Sequence, residues 1–563
     1  MVNYFRALLI LASATFYQNG VAEVLSPSTP NAGSILQEIQ PAKSIIPSAN
    51  QNALHIESSG DAGLPDSIPF KVLKLNIIGN ENVDDETLHA LIANQEGQEL
   101  SLHQLGKLAS LITGYYHNHD YPLAIAIIPA QTIEGGVVTI QVLEASYGDV
   151  LLKNESRINE FLLKNTMTLV KSGEKVTGNK LNQTLLLLND IPGIVVDASI
   201  KKGVAPGTSD LIVNATDASH FKAYVSVANS GSASIGRSRG TANLDFFNQL
   251  GLGDVLSVNG LTSGDGMNYG RLSYELLLNG YGTRLGGSYS DLYYQLMGQQ
   301  YKLLEVHGTS TNYSLWARHP LIRSLNYNLY TQVEYDHIAL RDHIDGLSAP
   351  SRKDRSLDDA TLTVSGDVRD RWLYGGGTYF NVSLTLGNLG FDDRVAKDMD
   401  LAGPKTQGAF SKINLTLTKT QQLTDNVTIS GSLSGQWAND NLDSSQKMVV
   451  GGPSSVRAYD VSILSGDDAQ LFTAEVRRTI NSSLGVWQAI AFYDAAHVQM
   501  NNTPLDSSKN TATIQGLGVG VNWQNEAMWS AHMSYAMPIG SEPSLLNAST
   551  IGPRAWVEIR KDF

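Results

Sequence analysis

The chain has 563 residues, 42% of them hydrophobic and 17% charged, with Lys+Arg 40 against Asp+Glu 54 and a formal net charge of −14. It is too long for one ordinary domain and too apolar to be disordered, and its acidic balance excludes a partner held by phosphate neutralisation, so no nucleic acid is expected. With Cys 0 there is no disulfide, no thiolate nucleophile and no cysteine metal site, while Gly 51 and Tyr 23 suit tight turns and interfacial girdles.

Met1 to Ala22 carries Arg6, an apolar run from Ala7 to Phe16 and the small residues Gly20-Val21-Ala22, the pattern of a signal peptide over 1–22. The apolar run is shorter than the ~20 residues of a spanning helix, and no later run supplies one, so a membrane role would have to use strands. Residues 23–68 shift to Ser, Pro, Asn and Gln, punctuated by Pro27, Pro30, Pro41, Pro47 and Pro65, which is linker chemistry. One island interrupts it. Asn31 can cap a short helix, about 31–40, whose Ile35, Leu36 and Ile39 share a face and which Pro41 ends. A helix this short does not persist alone in water, so it docks or stays coil.

Residues 69–145 form a first module. Lys71 to Ile78 reads as a strand, Val83-Asp84-Asp85-Glu86 as a helix start with the stripe Leu88, Leu91 and Ile92, and Leu102 to Tyr116 as a second helix. Leu123 to Ile128 and Val137 to Leu143 are two further strands, so the order is β-α-α-β-β. Residues 146–217 repeat that order more faintly, with strands at Asp149 to Leu152, Val195 to Ile200 and Leu211 to Asn214, and helices at Ile158 to Leu163 and Leu181 to Leu188. Each module is expected to be a three-stranded sheet with helices on one face, whose edge strand accepts an extended peptide.

From 218 to 563 the period is two. Phe221, Ala223, Val225 and Val227 alternate with Lys222, Tyr224 and Ser226, and Val427, Ile429, Gly431 and Leu433 alternate with polar residues. Sixteen candidate strands, with connections, take roughly 21 residues each, as in an outer-membrane barrel. Long polar connections are expected at Asp342 to Leu357, Asp392 to Gln407 and Asn439 to Asp468. On the last strand Ala555, Val557, Ile559 and Phe563 share the lipid side while Glu558 and Arg560 face the lumen. A terminal Phe563 resembles the signal by which such barrels are recognised for assembly.

Gly451-Gly452-Pro453-Ser454-Ser455-Val456-Arg457-Ala458-Tyr459-Asp460 breaks any strand, yet carries a cation and an aromatic among apolar residues. Two β-α-α-β-β modules of POTRA type, a barrel of this size and this loop resemble the transporter component of two-partner secretion, the haemolysin secretion/activation and filamentous-haemagglutinin transporter family. The family's loop motif is matched by Val456, Arg457, Ala458 and Tyr459, and its partner motif by Phe492-Tyr493-Asp494; Asn229-Ser230-Gly231 and Asn248 to Asp254 match as well, whereas Ala228 stands where many relatives place Asp. On the strand from Trp487 to Val498 the apolar set Trp487, Ala489, Ala491, Tyr493 and Ala495 faces lipid, which turns Phe492 and Asp494 inward. Arg457, on a loop over 439–468 folded into the barrel, can then pair with Asp494, shielded by Tyr459 and Phe492.

The resemblance implies two tandem POTRA modules in the periplasm, a 16-stranded antiparallel transmembrane β-barrel in the bacterial outer membrane, and a plug helix bearing Ile35, Leu36 and Ile39. It implies export of one large secreted β-helical exoprotein (adhesin, haemolysin, or haem- or iron-binding protein), with activation of that protein as a further role. Outer-membrane lipid and, during biogenesis, the barrel assembly machinery are the other partners. The alternative is a barrel-insertion factor of the same superfamily, which usually carries more modules. No catalytic residue, metal or cofactor is expected: the 12 His are scattered, and neither a His-Glu-x-x-His nor a phosphate-loop spacing occurs.

Overall fold

The computed structural model describes residues 30–39, 54–56, 67–541, 543–546 and 552–563. The expected signal peptide, Gln40 of the expected helix and most of the linker lie outside these residues.

The first module is built on the strand Val137–Leu143, which pairs in parallel with Lys74–Ile78 and antiparallel with Ile125–Ile127. The helix Leu102–Asn118 opens on a capping box between Ser101 and Gln104 and lays Leu105, Leu108, Ala109, Ile112 and Tyr116 into the core. The strand expected from Lys71 is interrupted, because Phe70–Lys71 pairs with Glu99–Leu100 instead. Of the expected stripe, Leu88 and Ile92 are buried, but the helix ends at Ala90 and leaves Leu91 exposed. One acid is embedded here. Glu144 accepts from the Asn82 backbone N–H at 2.9 Å and the Tyr116 hydroxyl at 2.8 Å, and lies 3.5 Å from the Lys175 ammonium.

The second module has helices Glu160–Met167 and Gly178–Asn189 over the strands Ser146–Asn154, Ile194–Lys202 and Thr208–Asp217. Its sheet has four strands, not the expected three: Leu54–Ile56, from the linker, pairs in parallel with Ala198, Ser199 and Ile200. Leu123 of the first module packs against the core of the second, and polar contacts join them as well. Asp120 of the first accepts from the Asn179 N–H at 2.8 Å, and its carbonyl accepts from the Gly178 N–H at 2.9 Å, which satisfies donors at the start of a helix in the second. The far end of that helix meets the barrel rim, where Asp190 takes two nitrogens of Arg323 at 2.7 and 2.8 Å.

Sixteen antiparallel strands, from Phe221–Ala228 to Arg554–Asp562, close into a barrel in sequence order. Closure comes from the pairing of Tyr224–Ala228 with Glu558–Asp562. Alternation sorts each wall: on Gly485–Gln499, Ile490, Phe492, Asp494, Ala496 and Val498 are buried while Ala489 and Ala491 are exposed. The longest connections, 392–407 and 439–467, lie at the end of the barrel away from the modules. The connection expected over Asp342 to Leu357 is a correction. Tyr327–Ile344 and Ser351–Asp370 run as strands of 18 and 20 residues, so only 345–350 is loop. Strands of ~9–11 residues span a bilayer, so this wall extends well beyond it.

Candidate functional site

The loop after the strand Val427–Ala438 turns into the lumen, where Met448–Val450 and Leu464–Gly466 pair as a short hairpin. Between them the chain reverses at Gly451 and Gly452, with φ of 101° and 96°, a left-handed region open to glycine. The Gly452 N–H donates to the Tyr459 carbonyl at 3.1 Å and the Tyr459 N–H to the Val456 carbonyl at 3.1 Å, so the turn presents Arg457 at its tip.

Arg457 meets Asp494 three times. Its Nε donates to Oδ2 at 2.8 Å, its Nη2 to Oδ1 at 2.7 Å, and its backbone N–H to Oδ2 at 3.1 Å. Its remaining terminal nitrogen donates to Glu475 Oε1 at 2.6 Å, and the guanidinium carbon sits 3.3 Å from the centroid of the Phe492 ring. Arg457 is 6% exposed and Asp494 0%, so the pair is held out of bulk water by Phe492 below and the buried Val456, Ala458 and Tyr459 around it. A planar fork with every acceptor placed is the geometry in which a buried ion pair is held firmly. Trp556 Nε1 donates to the Arg457 carbonyl at 2.8 Å, and Asp460 takes Arg554 at 2.9 Å and Arg237 at 3.1 Å, which ties the loop to the last strand and to the connection that follows the first.

The helix Ala32–Ile39 lies inside the same barrel. Ala32, Ile35, Leu36 and Ile39 are buried against Met267, Tyr269, Leu292, Tyr294 and Ile338 of the wall and Ile235 of the connection after the first strand. At its start the Ala32 N–H donates to Asp342 Oδ1 at 2.7 Å, and that carboxylate also takes the Tyr294 hydroxyl and Arg355. Arg355 is fully buried and bridges from Asp342 to Asp443 of the in-folded loop, each at 2.6 Å. At its other end Glu38 pairs with Arg239 and accepts from Ser462 Oγ at 3.1 Å. The helix is thus clasped between the wall and the loop that carries Arg457.

Among the residues named from sequence, Val456, Arg457, Ala458, Tyr459, Phe492 and Asp494 come together in one cluster, and Ile35, Leu36 and Ile39 in another. Phe563 stands apart at the barrel's closing seam, its N–H donating to the Ala223 carbonyl at 2.9 Å, with its side chain exposed. Sequence reasoning missed Glu475, Trp556, Asp342, Arg355 and the pair Glu38–Arg239. Strand parity reveals two of them: Trp556 shares its face with Glu558 and Arg560, and Glu475 shares its own with Arg477. The run Gly236-Arg237-Ser238-Arg239-Gly240 has the spacing of a nucleophile elbow, but it leads into the strand Arg239–Phe247 and not into a helix. Among the described residues no cluster of His, Asp and Glu has metal-binding geometry.

Comparison with known proteins places these features. The family model described as haemolysin secretion/activation protein ShlB/FhaC/HecB matches residues 207–523, and that of the POTRA domain, ShlB-type, matches 70–145. Heme/hemopexin transporter protein HuxB of Haemophilus influenzae (strain 86-028NP) is 30% identical over 556 residues, 96% of each chain. Outer membrane transporter CdiB of Dickeya dadantii (strain 3937) is 25% identical over 483 residues, 82% of this chain and 81% of its own. In fold, CdiB from Escherichia coli superposes with a TM-score of 0.67 at 20% identity, covering 94% of this chain and 95% of its own. BamA from Haemophilus ducreyi lacking POTRA domains 1–3 superposes with a TM-score of 0.54 at 16% identity, covering 88% and 100%.

Proposed function

The chain belongs to the ShlB/FhaC/HecB family of haemolysin secretion/activation proteins, and from that premise we propose how its plug, latch and modules carry out export. It is an outer-membrane transporter of two-partner secretion, with its POTRA region in the periplasm and a secreted exoprotein as its partner. The exported chain is a large β-helical protein that is received unfolded by the two modules, 69–145 and 146–217, and threaded through the barrel, 218–563. The observation that carries this reading is the buried Arg457–Asp494 latch on a loop that also clasps the helix Ala32–Ile39. A diffusion pore has no use for a helix tied at both ends inside its lumen.

In this reading the helix is a plug. It withdraws when the exported chain arrives, and the loop over 439–468 stays anchored through Arg457 while the lumen reorganises. Transport involves no chemical step by the protein itself; folding of the cargo outside draws it across. Lipid contacts the outward apolar rows of the wall, and Phe563 serves the barrel assembly machinery. Two modules in front of a plugged barrel favour export over barrel insertion. Likeness to a haem/hemopexin transporter across nearly the whole chain favours a haem-acquiring cargo over an adhesin or haemolysin.

Deleting the gene and measuring large secreted proteins at the surface and in the medium tests the proposal. Loss of one β-helical exoprotein with all other outer-membrane proteins retained is expected. Normal levels of every such exoprotein would overturn it.

A further inference from the structure

The outer surface of the barrel wall is graded along its length. On Ser351–Asp370 the outward residues Ala360, Leu362, Val364 and Val368 are apolar, whereas Asp358, on the same face, accepts from the Tyr335 hydroxyl at 2.6 Å. Cross-strand partners repeat the pattern: Leu362 stands opposite Val333 and Leu384, and Val368 opposite Tyr327. The apolar stretch over 360–368 is about the ~9–11 residues with which a strand crosses a bilayer. The turn that follows, over 370–375, therefore emerges at the headgroups of the leaflet on the modules' side.

This turn differs from its neighbours. Trp372, Leu373 and Tyr374 are 65, 55 and 63% exposed, while the turn over 324–326 exposes Leu325 and the turn over 425–426 no large apolar side chain. Its backbone is braced from behind. The buried Gln421 donates through Nε2 to the Trp372 carbonyl at 2.6 Å and to the Gly375 carbonyl at 2.9 Å, and the Trp372 N–H donates to Asp370 Oδ1 at 3.0 Å. Leu373 is held at a φ of 52°, the left-handed region that strains a residue with a side chain. A braced turn, strained at its tip, thus presents three apolar side chains outward, and water is a poor partner for them.

The flanking charges give the sign of the partner. Lys419 is spent on Asp370. Arg369 and Arg371 are exposed and make no ion pair or side-chain hydrogen bond among the described residues. Two uncommitted guanidiniums beside a tryptophan and a tyrosine, at headgroup depth, match an anionic lipid surface: the rings favour the boundary between acyl chain and water, and the cations favour phosphate. The position on the rim is specific as well. The Arg369 N–H donates to the Asn326 carbonyl at 2.6 Å, and Arg323, which ends the strand before that turn, holds Asp190 of the second module. A lipid bound here lies beside the seat of that module.

We propose that the turn over 370–375 is an anionic-phospholipid site of the periplasmic leaflet. Trp372, Leu373 and Tyr374 enter the leaflet, and Arg369 and Arg371 hold anionic headgroups against the rim. The outward rows of the wall meet any acyl chain, whereas this turn selects its lipid by charge. The site depends on the outer-membrane barrel and not on the nature of the exported chain.

Tyr374→Cys, in a chain that has no other cysteine, places a fluorophore on the turn of the full-length protein in nanodiscs. The discs hold phosphatidylglycerol and phosphatidylcholine in equal amounts, with bromine on the acyl chains of one lipid at a time. Brominated phosphatidylglycerol should quench the label about threefold more than brominated phosphatidylcholine, and adding Arg369→Gln with Arg371→Gln should bring the ratio to about one. Equal quenching by the two lipids while both arginines are present overturns the proposal. A label quenched by aqueous acrylamide and by neither lipid overturns it too, and disulfide-linked dimers without lipid quenching would give the turn to a second copy of the chain instead. If the arginine variant does not assemble, salt decides on the Tyr374→Cys chain alone: raising it from about 0.05 to 1 M should lower the preference about twofold, and an unchanged preference overturns the proposal.

Discussion

Arg457 and Asp494 are 37 residues apart in sequence and are joined by two side-chain hydrogen bonds, at 2.8 and 2.7 Å, and one from the backbone, inside a barrel lumen. Removing the cation leaves Asp494 and Glu475 buried without it, at a cost of about 3–5 kcal/mol. Arg457→Ala should therefore release the loop and lower secretion by ~100-fold or more, while the barrel still assembles and keeps its heat-modifiable migration on gels. Arg457→Lys loses the fork and should fall between the two. Wild-type secretion by Arg457→Ala would remove the latch from the mechanism.

The helix inside the barrel makes its own prediction. A Cβ on Gly33 would lie 2.5 Å from Ser444 Oγ and 2.6 Å from the Ser445 backbone nitrogen. Gly33→Val should push the helix off the loop and raise the open fraction in planar-bilayer conductance by about tenfold, the equivalent of ~1.4 kcal/mol. Ser34→Ala, on the half-buried side of the same turn, should leave conductance near wild type.

Gly516 leaves room for the loop motif. A Cβ there would come 2.5 Å from the Ala458 Cβ, and Ala458 itself is 1% exposed. Gly516→Val should displace the Arg457 turn and reproduce much of the Arg457→Ala defect, whereas Ala458→Gly should keep secretion within about twofold. Secretion assays on the two variants side by side check the packing.

Glu144 gives a pH prediction outside the membrane. Burial alone would raise its pKa, but the Asn82 N–H, the Tyr116 hydroxyl, the Asn82 amide and Lys175 outweigh burial and hold it below the ordinary 4.5. A carboxylate depressed by folding contributes stability above its unfolded value and loses it as pH falls through the folded one. The first module should therefore be steady above about pH 5 and weaken below about pH 4.5. Glu144→Gln should cost about 1–3 kcal/mol at neutral pH and flatten the acid limb of a denaturant titration.

Much of the molecule was legible from local periodicity. Alternation by itself turns Asp494 inward, because a strand's side chains can take only two directions and Trp487, Ala489 and Ala491 claim one of them. The same rule turns Trp556 and Glu475 inward, although it does not name their partner. The polarity of Asp342 to Leu357 reads as a loop in sequence. The structure makes most of it strand, since backbone pairing across a long wall holds polar residues that a bilayer would reject.

The sequence by itself determined the order of elements, the face each strand turns to the lumen and the presence of a charged loop tip, because these follow from spacing along one stretch of chain. Only the tertiary structure decided which partners meet. Arg355 between Asp342 and Asp443, Glu38 on Arg239, and Leu54–Ile56 on the edge of a strand more than 130 residues later all join segments with no common period. Such pairings depend on how a closed barrel brings distant walls and an in-folded loop within hydrogen-bond reach. Distances along the chain carry no trace of that closure.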